Sequence, residues 1–117
     1  MPIAIVQDYY AALNAAVADP GKIEDAMAFL APDAIFINPT GSYPTLEAIR
    51  ASLAEGAAAG LTFELTNFRE QNGRVVYDYE VKIGDELLNK GADGLTIVKA
   101  DKIVFDGTER TDPGTFE

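Results

Sequence analysis

The 117-residue chain contains no cysteine, no histidine and no tryptophan. Without cysteine there is no disulfide, no thiolate nucleophile and no zinc ribbon; without histidine there is no imidazole base, no Ser-His-Asp triad and no histidine metal site. Acid–base work therefore falls to Asp, Glu, Tyr or Lys. Basic residues are scarce as well: 9 Lys and Arg stand against 19 Asp and Glu, a formal charge of -10 that repels phosphate backbones and argues against a nucleic-acid partner. No apolar run approaches the roughly 20 residues of a membrane span, and the N-terminus has neither the basic region nor the apolar stretch of a signal peptide. The expectation is a cytoplasmic protein with no membrane partner. There is no G-x-G-x-x-G fingerprint, no Walker-type loop and no calcium loop, so neither a cofactor nor a metal is expected.

What is present is an ordinary globular composition, 48% hydrophobic and 24% charged. At this length it makes one domain, residues 1–117, around a single core. From Ile3 to Ala18, Ile3, Val6, Tyr10, Leu13 and Val17 recur at helical steps, and Asp19-Pro20-Gly21 ends the run. Lys22 to Leu30 reads as a shorter helix stopped by Pro32, followed by a strand from Ala34 to Asn38. Asn38-Pro39 then enters a bend built from Thr40, Gly41 and Ser42. Thr45 is a good N-cap for a third helix bearing Leu46, Ile49 and Leu53, with Gly60 as its stop. Beyond it everything reads as strand. Leu61 to Gln71 and Arg74 to Ile83 flank Asn72-Gly73, a type I′ hairpin signal; Gly84-Asp85 makes the next turn, and Leu87 to Val98 and Ile103 to Arg110 meet around Ala100-Asp101. Three N-terminal helices followed by a meander of strands is an α+β plan, the helices covering one face of a curved antiparallel or mixed sheet and leaving a cone for a small ligand.

Several stretches carry a family likeness. "VQDYYAALNA" at the first helix, "FLAPDAIFINPTGSYP" around the first strand, and "FELT" and "GADGLTI" in the later strands resemble the bacterial Δ5-3-ketosteroid isomerases of the NTF2-like (SnoaL-like) superfamily, over nearly the whole chain. The resemblance implies a cone in which a helix Tyr and a late-strand Asp hold the oxygen of a dienolate while an Asp before the Pro carries the proton. The matching positions are Tyr9, Asp93 and Asn38. Two keep the family residue; the base is an amide, which accepts no proton at neutral pH. Losing a general base costs about 10²- to 10⁴-fold. Asp93 could donate only if protonated, which an apolar setting would favour.

Each position also has a plainer reading. Tyr10 fits the apolar stripe better than Tyr9, so Tyr9 is equally a core aromatic. Asp93 shares strand parity with Leu95 and Ile97 and is expected to point toward their face, where an acid is costly unless used or paired. Asn38 can serve as a turn residue bonded to its own backbone. In "RVVYDYEVKI", alternation turns Asp78 and Glu80 to solvent, opposite Tyr77, Tyr79 and Val81; a gapless count back from Asp93 instead places them at pocket positions, where either could replace the missing base. Two other activities of the fold fit poorly: dehydratases resembling scytalone dehydratase need histidines, and limonene-type epoxide hydrolases need an Arg where Gly91 stands. The expected function is a ketosteroid-isomerase-like protein that binds a flat apolar ketone or phenol, with weak isomerase activity. The alternatives are a non-catalytic binding protein and a protein-association module. The resemblance further implies a homodimer.

Overall fold

The computed structural model describes residues 1–38 and 41–114. Its elements run α1 (Pro2–Ala15), α2 (Lys22–Met27), β1 (Leu30–Asn38), β2 (Gly41–Tyr43), α3 (Leu46–Ala58), β3 (Leu61–Gln71), β4 (Arg74–Ile83), β5 (Glu86–Lys99) and β6 (Lys102–Thr108). The described strands form one mixed sheet in the order β2-β1-β6-β5-β4-β3, with only the β1–β6 pair parallel. Two departures from the expected segmentation have physical causes. The second helix ends at Met27 because Leu30 pairs with Ile103 of β6 and the Ile103 amide donates to the Phe29 carbonyl, so the chain is already in the sheet before Pro32. A short strand, β2, stands where a bend through Gly41 and Ser42 was expected, because Gly41, Ser42 and Tyr43 pair with Asn38, Ile37 and Phe36 of β1. Of that expected bend only Thr40, with Pro39 before it, lies outside the described residues.

Local signals are otherwise kept. Thr45 caps α3 by accepting a hydrogen bond at Oγ1 from the Ala48 amide, and Gly60 leaves the helix at φ +86°. Asn72 and Gly73 both adopt positive φ, as a type I′ turn requires. Gly73 is obligatory for a second reason: a Cβ there would fall 2.3 Å from the Val98 carbonyl oxygen, to whose residue Gly73 is also tied by the Val98 amide.

The helices cover one face of the sheet. Val6, Tyr9 and Leu13 of α1, Ile23, Ala26 and Met27 of α2 and Ile49 of α3 close on Phe36, Val75, Tyr77 and Ile103 to make the main core. A second cluster joins Ala31, Leu95, Ile97, Val104 and Phe105, with Ile35, Ile37 and Val76 packed against it. The free edge of β3 is partly satisfied from α1. Asn14 acts as a short substitute for a strand, its Nδ2 donating to the Phe63 carbonyl at 2.8 Å while its Oδ1 accepts from the Phe63 amide at 2.7 Å.

Candidate functional site

A cavity of about 740 Å³ opens between α3 and the helix-covered face of the sheet, a size suited to a small organic ligand. Tyr77, Tyr79 and Val81 of β4 line it, so strand alternation places those three residues correctly. Asp78 and Glu80 do not line it; Asp78 instead pairs with Arg69 at 3.4 Å near the surface. Two glycines of β5 let the tyrosines lie against their neighbours. Gly94 pairs with Tyr77 and Gly91 with Tyr79, and a Cβ at either position would stand 2.4 Å and 2.6 Å from the respective side chain. The small residues therefore make the space that the rings occupy.

The chemistry of the cavity centres on Asp106, near the end of β6. Its Oδ2 accepts from the Tyr10 hydroxyl at 2.7 Å, and its Oδ1 accepts from Thr96 Oγ1 at 2.9 Å and from the Tyr77 hydroxyl at 3.2 Å. The Tyr77 and Thr96 hydroxyls also lie 2.7 Å apart, and with one proton each they make two of these three hydrogen bonds at a time. The residues come from α1, β4, β5 and β6, and the β5–β6 register sets Thr96 directly opposite Asp106. Burial raises the Asp106 carboxyl to about 6, although the three hydroxyls and the Gly107 amide favour its ionised form. Burial likewise pushes the phenols of Tyr10 and Tyr77 well above their ordinary value, with the Asp106 charge adding to the effect. These tyrosines are therefore hydrogen-bond donors at neutral pH, clustered around a carboxyl that exchanges its proton near neutrality. Such a group can shuttle a proton to or from a bound ligand.

The three residues singled out by resemblance are not brought together. Asn38 lines the cavity. Tyr9 does not: it is fully buried, edge-on to Tyr10 and Phe36, and its hydroxyl has no hydrogen-bond partner among the described residues. Its neighbour Tyr10 reaches the cavity instead. Asp93 also lies outside the lining; Arg110 Nε donates to its Oδ2 at 2.7 Å, and the Tyr79 hydroxyl stands 3.4 Å from Oδ1. The parity argument for Asp93 selected the other sheet face, since Leu95 and Ile97 belong to the second apolar cluster whereas Thr96 between them reaches Asp106. A bulge between Tyr77 and Tyr79, where two residues of β5 oppose Asp78, further breaks the count along this strand. Asp106 was missed because it falls inside the expected strand Ile103 to Arg110, and local pattern does not say which face of that strand meets the cavity. The available signal was an acid following the apolar run Ile103 to Phe105.

Residues 6–106 match the SnoaL-like domain model. The chain belongs to this family. Its fold is NTF2-like, an α+β arrangement on a curved mixed sheet. An NTF2-like protein of unknown function from Cytophaga hutchinsonii superposes with a TM-score of 0.76 at 16% identity, covering 97% of this chain and 91% of that one. A protein from Sinorhizobium meliloti named as a polyketide cyclase gives 0.70 at 16% identity, covering 91% and 94%. One from Kribbella flavida named as a ketosteroid isomerase gives 0.68 at 16% identity, covering 89% and 73%. No curated protein matches the chain. Likeness at this identity establishes the fold alone, so the chemistry has to be argued from the cavity. No described helix is long and apolar enough to cross a membrane. Among the described residues no group of three or more acids is placed to hold a metal ion.

Proposed function

We propose that this SnoaL-like protein binds a flat apolar ketone or phenol of steroid-like size and transfers a proton on it, with Asp106 as general base and acid. The observation that carries this reading is the buried Asp106 carboxyl in the wall of a largely apolar, aromatic cavity, raised to about 6 and ringed by hydroxyl donors. In its ionised form Asp106 accepts a proton from carbon next to a carbonyl. Once it is protonated, Tyr10 and Tyr77 no longer serve an anion and can turn toward the oxygen of the enolate, where the negative charge now lies. Returning the proton to a different carbon completes an isomerisation. Asn38 supplies a neutral hydrogen bond at the same cavity in place of a second carboxylate. Homodimer formation belongs to the same proposal and is checked by light scattering.

The test follows conversion of a Δ5-3-ketosteroid to its conjugated enone by absorbance, with the wild type, Asp106→Asn and Asn38→Asp. Loss of about 10²-fold or more in Asp106→Asn, and a wild-type rate that rises through about pH 6, support Asp106 as the base. A rise of about a hundredfold in Asn38→Asp, with Asp106→Asn as active as the wild type, would place the base at position 38 and overturn the assignment. Binding of a phenolic steroid with no turnover in any variant would favour a binding protein without catalysis.

A further inference from the structure

Among the described residues the cavity has six aromatic side chains in its lining, Tyr10, Phe36, Tyr43, Phe63, Tyr77 and Tyr79, and no lysine or arginine. Its acidic residues among those described are Asp106 in the wall and Glu55, exposed on α3 at the rim. The Asp106 carboxyl is held by neutral donors, the hydroxyls of Tyr10, Thr96 and Tyr77, and no Lys or Arg forms an ion pair with it among the described residues. A buried carboxylate without a counter-charge is costly, and neutral hydrogen bonds offset only part of that cost. A ligand that carries positive charge supplies the missing partner. The faces of the surrounding rings are themselves electron-rich and attract a cation. An anion would instead meet Asp106 and the field of a chain with formal charge -10.

We propose that the cavity recognises a hydrophobic organic cation: an amine protonated at neutral pH, its nitrogen against the Asp106 carboxylate and its apolar body filling the chamber between α3 and β3. Glu55 at the rim favours entry of such a ligand and disfavours carboxylates and phosphates. This recognition rests on the same cavity and the same carboxyl as the proposed function, but it requires no turnover. No bond is made or broken.

The experiment compares three probes with one ring system, naphthylmethylamine, naphthylmethanol and naphthoate, by isothermal titration calorimetry. The amine is expected to bind the wild type about tenfold or more tighter than the alcohol at neutral pH, with naphthoate weakest of the three. In Asp106→Asn the preference for the amine should shrink to about twofold or less. If that variant does not fold, the wild type at about pH 5 is the substitute, because Asp106 is then mostly protonated while the amine keeps its charge. An alcohol that binds the wild type as tightly as the amine overturns the inference. So does an amine preference that persists when Asp106 is neutral. Turnover of a neutral ketone without any amine preference would sink the cation inference alone, and an amine preference without ketone turnover would sink the proton-transfer reading alone.

Discussion

Replacing Asp106 with Asn removes one ionisation from the core while nearly preserving side-chain shape. In the folded protein Asp106 titrates at about 6, because burial penalises the anion by more than its hydrogen bonds favour it; in an unfolded chain an Asp titrates near 3.9. At low pH both states hold the proton and nothing is lost. As pH rises from about 4 to about 6 the folded state holds more protons than the unfolded one, so stability falls; well above 6 both are ionised and the loss is complete. At about 1.36 kcal/mol per pH unit between the two values, the total is roughly 3 kcal/mol, a large share of the roughly 5–15 kcal/mol that holds a domain together. Asn does not titrate. Urea unfolding of both proteins at about pH 4 and about pH 8 should therefore show the variant gaining on the wild type by roughly 2–3 kcal/mol between the two conditions. The other carboxyls titrate in both proteins and cancel in the difference. Any lost hydrogen-bond geometry in the variant shifts the offset and leaves the pH slope unchanged. A difference that stays flat from pH 4 to pH 8 would refute the argument that Asp106 is ionised against a burial penalty.

Tyr9→Phe removes a buried hydroxyl with no partner among the described residues, so thermal unfolding should show no loss of stability and a gain of up to about 1–3 kcal/mol, with ligand affinity unchanged. A large fall in affinity for a phenolic ligand would restore the oxygen-holding role that resemblance gives Tyr9. Gly94→Ala sets a methyl group against the Tyr77 ring and should cost about 1–3 kcal/mol and disturb the Tyr77 bonds to Thr96 and Asp106, read as a lower denaturation midpoint and weaker ligand binding. Asn14→Ala leaves the Phe63 amide and carbonyl without their side-chain partner and should destabilise by about 2 kcal/mol, with faster hydrogen exchange at the Phe63 amide as the local readout.

Much of this architecture is written in short-range pattern. The Asn72-Gly73 turn, the Thr45 cap, the Gly60 stop and the alternation along β4 depend on backbone preferences and strand periodicity, which act within a few residues. Those signals also sorted the tyrosines of β4 from its acids. The identity of the residues around the carboxyl is a different matter. Tyr9 and Tyr10 are successive on one helix, and both suit an inward stripe; the rotation of α1 against the sheet decides that Tyr10 meets the cavity and Tyr9 is sealed behind it. Asp106 and its donors lie 10, 29 and 96 positions apart in sequence. They meet only because β6 inserts between β5 and β1, with a register shift between Ile97 and Val98 that sets Asp106 opposite Thr96. The sequence by itself determined most of the elements, the turns between the later strands and the absence of imidazole and thiol chemistry, since these depend on local geometry and composition. Only the tertiary structure decided which carboxyl lies in the cavity wall and titrates near neutrality, because burial and strand register are properties of the assembled sheet.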